Sequence, residues 1–183
     1  VIQARAQLPL KKDGGVLMLE NPGTRPLHLL LTESGVPPIL NEAPIARDLG
    51  LTVQWTDLEG QPLRMDQPLR AGQDLQMVLT LSNPLQSAQT HLALEVLLPS
   101  GLRLVSTRAA EGEEQQQFWT WQDIRDDRIS TYLDLPAKAS RTLRFHLNAA
   151  FSGRFVMPGV QFKAMYNPDV SAVVPGGWVD IAP

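Results

Sequence analysis

The sequence predicts an all-β protein: an antiparallel, immunoglobulin-like β-sandwich preceded by a few strands of a second, incomplete β-domain. Three observations carry that prediction. Apolar residues recur at every second position through most of the chain, the period of a strand with one buried face rather than the 3.6 of a helix. Clusters of Asn, Pro, Gly and Ser punctuate the apolar runs at short intervals, as they do between the strands of a sandwich. The chain has 183 residues, of which 43% are hydrophobic, and a chain of that size can bury a real core.

Taken in order, the first elements are three strand-like runs over residues 2–10, 15–20 and 26–32, with Asn21-Pro22-Gly23 turning between the second and third. Near residues 36–48, Val36-Pro37-Pro38 and Pro44 interrupt the pattern, which marks a domain boundary. Three strands rarely make a stable domain alone. Residues 1–45 are therefore expected to be the second half of a domain whose first half lies upstream, and residues 46–183 a complete sandwich. Within the sandwich, period two runs through Leu51, Val53 and Trp55, then Leu75, Met77, Leu79 and Leu81, then Leu92, Leu94, Val96 and Leu98. It resumes in Ile129, Thr131, Leu133 and Leu135, in Leu143, Phe145, Leu147 and Ala149, and in Val160, Phe162 and Ala164. Turns are expected at Asn83-Pro84, Pro99-Ser100-Gly101, Asn167-Pro168-Asp169 and Pro175-Gly176-Gly177. Residues 107–117 lack alternation and are rich in Glu and Gln, so they are expected to be a loop, its Glu111, Glu113 and Glu114 either a solvated face or an acidic docking patch.

Composition excludes several classes of function. Sixteen basic and 19 acidic residues, net charge −3, leave no electrostatic footprint for nucleic acid or an anionic membrane. No apolar run reaches the ~20 residues of a membrane span, and no signal layout opens the chain, so any targeting segment or anchor is expected outside it. The absence of cysteine excludes a disulfide scaffold, a thiolate metal site, a cysteine nucleophile and an internal thioester within these residues.

The motifs offer no catalytic machinery. His28, His91 and His146 are isolated, without metal-ligand spacing, and no nucleophile elbow, zinc-protease helix or phosphate-binding loop is present. No cofactor or metal is expected, and the chain is not expected to be an enzyme. Arg125-Asp126-Asp127-Arg128 is the densest charge cluster. Adjacent strand residues point to opposite faces, so Asp126 and Asp127 are poorly placed for acid–base work; capping a turn and pairing with Arg128 is the more economical role. Trp119 and Trp121, two residues apart, share a strand face by the same rule, which gives either ordinary packing or a sugar platform.

Several runs then carry a family likeness. Leu97-Leu98-Pro99-Ser100-Gly101-Leu102 is followed by Ile124-Arg125-Asp126-Asp127-Arg128-Ile129. Next come residues 149–158, Ala-Ala-Phe-Ser-Gly-Arg-Phe-Val-Met-Pro, and Ala164-Met165-Tyr166-Asn167-Pro168-Asp169. In this order they resemble the last macroglobulin-like domain of bacterial α2-macroglobulin homologues, a receptor-binding-like sandwich. Leu19-Glu20-Asn21-Pro22-Gly23 and the run from Leu30 to Pro37 resemble, more loosely, the strands that complete the CUB-like domain after the thioester domain of that family.

The resemblance implies a non-catalytic, carboxyl-terminal structural and interaction module of a broad-range protease inhibitor of the cell envelope. The parent would be periplasmic and often lipid-anchored, cleaved in a bait region, and rearranged to trap the protease. Implied partners are the preceding thioester-type and CUB-like domains, target proteases through the parent, and other envelope proteins; a membrane enters only through an anchor elsewhere. Met165 and Tyr166 fall in the most recognisable motif, with two readings open: a contact with the thioester domain or a partner, or a packed strand end before a turn. The alternative function is an independent envelope binding module, adhesin-like or carbohydrate-binding.

Overall fold

The computed structural model describes residues 16, 18–32, 43–109 and 118–183. The chain divides into two compact units, Val1–Val36 and Pro37–Pro183. In the first, the described residues contain no strand. Asn21 organises a bend, its side-chain amide donating to the Arg25 carbonyl at 2.8 Å and its side-chain oxygen accepting from the Gly23 amide at 3.2 Å. Residues 26–32, expected to form a strand, do not. A strand needs a ladder partner for its backbone groups, and none is present for them among the described residues, where Leu30 is 89% exposed. Residues 18–20 likewise carry no strand, and the expected run over 2–10 lies outside the described residues.

The second unit is an all-β sandwich, as period two requires. Its strands are β1 (Ile45–Arg47), β2 (Gly50–Thr56), β3 (Leu69–Arg70), β4 (Asp74–Ser82), β5 (Gln89–Leu97), β6 (Leu102–Ala109), β7 (Trp119–Ile124), β8 (Arg128–Leu135), β9 (Ser140–Ala149), β10 (Gly153–Met157), β11 (Val160–Ala164), β12 (Ser171–Val174) and β13 (Gly177–Ala182). One sheet has the order β1-β12-β11-β5-β8-β7, the second β2-β4-β9-β6, and a small third sheet β10-β13-β3. Pairing is antiparallel except between β13 and β3, where Ile181 lies beside Leu69 in parallel register.

Alternation sets which side chains meet. In β4, Leu75, Met77, Leu79 and Leu81 sit opposite Leu147, Phe145, Leu143 and Arg141 of β9, and the apolar members are at most 1% exposed. From the facing sheet, Leu92 and Leu94 of β5, Ile129, Leu133 and Leu135 of β8 and Phe162 of β11 complete the same core. Burying each such side chain is worth about 1.5–3 kcal/mol, which is why the register is strongly specified. Two of the expected turns close on backbone hydrogen bonds, the Leu102 amide donating to the Pro99 carbonyl at 2.9 Å and the Val170 amide to the Asn167 carbonyl at 3.1 Å. Gly177 of the expected Pro175-Gly176-Gly177 turn, by contrast, already begins the last strand, and Pro175 and Gly176 form a short crossing from one sheet to another.

Besides a bulge between Gln89 and Leu92 in β5, two more depart from simple alternation. The first lies between Leu104 and Ser106 in β6, and beyond it the strand continues through Thr107 and Arg108 to Ala109, paired with Phe145, Arg144 and Leu143. The expected loop therefore begins later than Thr107, because a bulge breaks the period without ending the ladder. Glu111, Glu113 and Glu114 lie outside the described residues. The second bulge, between Trp119 and Trp121 in β7, pairs Trp119 with Leu133 and Trp121 with Tyr132. One extra residue reverses the face: Trp119 packs against the core while Trp121 is 65% exposed. The two tryptophans do not share a face, and a platform built from both is excluded.

Candidate interaction site

The two groups of candidate residues occupy opposite ends of one sheet. β5 is the ruler: Leu97 pairs with Arg128 at one end, while Ala164 pairs with Leu92 at the other. The five intervening steps, at ~3.3 Å each, hold the groups roughly 17 Å or more apart. They form two surfaces and not one site.

At the first end, Arg125 to Arg128 make a tight hairpin between β7 and β8, closed by the Arg125 amide donating to the Arg128 carbonyl at 2.8 Å. The Asp127 carbonyl accepts from the Leu98 amide at 2.8 Å, tying the hairpin to the end of β5. Arg128 Nε lies 3.8 Å from Asp127 Oδ1, and Arg125 Nε lies 3.0 Å from Asp123 Oδ2. Asp126 is exposed at the tip. These are solvated pairs of the kind worth about 0–1 kcal/mol each, so the cluster shapes a turn and a mixed-charge surface.

At the other end stand Met165 and Tyr166. Ala164 closes β11 by donating its amide to the Val170 carbonyl at 2.9 Å, and Asn167 accepts the Asp169 amide on its side-chain oxygen at 3.1 Å. This turn, pre-set by Asn-Pro-Asp, thrusts the two preceding side chains outward: Met165 is 48% and Tyr166 79% exposed. Both readings of the pair, a contact with a partner or a strand end before a turn, are compatible with this exposure.

Sequence reasoning missed the residue beneath them. His91 lies in a bulge between Gln89 and Leu92 of β5 and has φ 55°, a left-handed conformation that costs an L-residue about 1–2 kcal/mol. Its amide donates to Asp134 Oδ1 at 2.8 Å, its carbonyl accepts from the Met165 amide at 2.8 Å, and its ring meets Tyr166 edge-on, with centroids 5.4 Å apart at 68°. Nothing local in Thr90-His91-Leu92 announces a bulge, which exists only against the partner strand. The other histidines do different work. His146 Nε2 lies 3.3 Å from Asp74 Oδ1, close enough for electrostatic attraction but without a hydrogen-bonding alignment, and His28 is exposed.

The same end is braced by a buried polar group. Asn83, 1% exposed, donates its side-chain amide to the carbonyls of Ser87, Leu135 and Pro136 at 2.9, 3.2 and 2.9 Å, and accepts from the Leu85 amide at 3.1 Å. It joins the loop after β4 to the loop after β8.

Comparison with known proteins places this geometry in a family. The family described as the bacterial alpha-2-macroglobulin MG10 domain matches residues 49–169, two thirds of the chain and most of the sandwich. An alpha-2-macroglobulin of Pasteurella multocida (strain Pm70) is 24% identical over 158 residues, covering 83% of this chain and 8% of the relative. The structure of Salmonella alpha-2-macroglobulin reacted with methylamine superposes with a TM-score of 0.68 at 23% identity, over 78% of this chain and 10% of that one. Escherichia coli alpha-2-macroglobulin activated by porcine elastase superposes with a TM-score of 0.65 at 19% identity, over 80% and 14%. The chain thus spans less than a tenth of the length of the curated relative it matches.

Proposed function

Because the chain belongs to the bacterial alpha-2-macroglobulin MG10 domain family, we propose that it is a non-catalytic structural and interaction module of a larger, broad-range protease inhibitor of the cell envelope. In this reading the inhibitory work belongs to a parent protein of which the sandwich forms the carboxyl-terminal part, in the periplasm. Its immediate partners are the preceding thioester-type and CUB-like domains, and target proteases reach it only through the parent. Residues 1–45 complete the CUB-like domain, a reading supported by the apolar run Leu27, Leu29, Leu30 and Leu31, all at least 60% exposed.

The observation that carries the reading is the exposed pair Met165 and Tyr166, projected from a hairpin of a rigid sandwich. A rigid module with a protruding apolar tip is suited to hold neighbouring domains in one arrangement until they are released. The aspartates at the opposite end fit a docking or solvated surface, since Asp126 and Asp127 are both exposed and Asp127 has an ordinary cationic neighbour.

The test is made on the parent protein. Hydrogen exchange at residues 164–170 should be slower there than in the 183-residue chain, and the parent should block trypsin or elastase from digesting a large protein substrate. Equal exchange rates would remove the contact at Tyr166. A parent that never protects the substrate would remove the inhibitor reading altogether.

A further inference from the structure

We infer that His91 is a positioning residue for Tyr166, kept in a strained backbone conformation because its ring, and not its backbone, orients the tyrosine. This deepens the reading of Tyr166 as a contact residue and rests on it for its functional meaning. Among the described residues three that are not glycine have positive φ: Asp48, His91 and Lys138. Asp48 and Lys138 lie in connections between strands, where turns impose such angles. His91 alone lies inside a strand, Gln89–Leu97.

Two backbone contacts hold the bulge, His91 N–H to Asp134 and Met165 N–H to the His91 carbonyl. Glycine would make both and adopt the angle without a Cβ penalty. The imidazole adds contacts of its own, the edge-on packing with Tyr166 and a 3.2 Å approach of Nδ1 to Thr90 Oγ1. The Thr90 contact joins neighbours in sequence on an exposed surface, and Tyr166 is the distant group that the ring meets among the described residues. A positive φ at a residue other than glycine, inside a strand, directs attention to what its side chain contacts. The chain of contacts is short: Asp134 holds the His91 backbone, the His91 carbonyl holds Met165, and the His91 ring limits the directions open to a tyrosine that is otherwise 79% exposed.

Two readouts separate this inference from the reading beneath it. In the 183-residue chain, the His91 ring protons should show a ring-current shift in the NMR spectrum. Tyr166→Phe should preserve that shift, because the contact uses the ring face and edge and not the hydroxyl, and Tyr166→Leu should abolish it. In the parent, nitration of Tyr166 by tetranitromethane, resolved from Tyr132 by peptide mapping, should be slow. His91→Gly should accelerate it about 2- to 10-fold, the loss expected for one aromatic pair; His91→Asn should behave alike, and His91→Phe should restore the slow rate. Where Tyr166 reacts more slowly in the parent than in the chain alone, an unchanged nitration rate in His91→Gly overturns the positioning role, and no ring-current shift in the wild-type chain overturns it in either case. If instead Tyr166 reacts equally fast in the wild-type parent and in the chain alone, the contact reading fails, and the ring-current comparison by itself decides whether His91 orients the tyrosine.

Discussion

The carbonyl of Gly101 accepts a hydrogen bond from the Ala150 amide at 2.9 Å, and a second from Phe151 at 3.3 Å, so two motifs fifty residues apart in sequence meet at one peptide. The meeting is tight. A Cβ on Gly101 would overlap the Phe155 ring and lie 2.8 Å from Ile181 Cδ1. The turn after β5, the loop after β9 and the small third sheet are therefore packed as one corner.

Gly101→Ala should destabilise the sandwich by about 1–3 kcal/mol, the range for forcing an extra methyl into a packed site. The measurement is the midpoint of urea unfolding. A midpoint equal to wild type would mean the corner yields freely and does not depend on the glycine.

Asn83→Leu should cost about 2–4 kcal/mol. Three donated bonds vanish, and the Leu135 carbonyl and the Leu85 amide lose a partner in a site with little access to water. The loss should appear in urea unfolding together with faster hydrogen exchange in the loops after β4 and β8. A uniform loss of stability without faster exchange in those loops would show that Asn83 does not brace them.

Trp119 and Trp121 should respond oppositely to solvent. Trp121→Phe should remove a large part of the iodide-quenchable fluorescence while changing stability by no more than about 0.5 kcal/mol, as for an exposed substitution. Trp119→Ala, which opens the packing against Phe118 at 5.2 Å and the core behind it, should cost about 2–3 kcal/mol. Equal quenching losses in Trp121→Phe and Trp119→Phe would contradict the bulge that turns one inward.

Asp74 gives the acid limb a direction. The Asn148 side-chain amide, donating to Oδ1 at 2.9 Å, holds the Asp74 carboxyl below its ordinary value of 3.8, with burial opposing and His146 assisting. A carboxyl depressed in the folded state binds fewer protons folded than unfolded, so its contribution is complete above 3.8 and is lost as pH falls through the lower folded value. Asp74→Asn should therefore flatten the fall in stability below about pH 4. An identical acid limb in the variant would show that the Asn148 contact does not favour the charged form.

What the sequence by itself determined is the class of fold and most of its strands, because period two is a local property that survives in isolation. Leu75 to Leu81, Leu92 to Leu98 and Leu143 to Ala149 alternate, and alternation alone commits one face to the core. The turns were legible for the same reason, since Asn167-Pro168-Asp169 carries its own conformational preference. Tyr166 and Met165 were also visible as candidates, through a motif rather than through chemistry. Only the tertiary structure decided which way Trp121 faces, where β6 ends, that the Asp127 and Tyr166 surfaces lie at opposite ends of one sheet, and that His91 sits beneath Tyr166. Each of these depends on a bulge or a ladder partner remote in sequence, and one extra residue opposite a partner reverses every side chain beyond it while leaving the local sequence pattern unmarked.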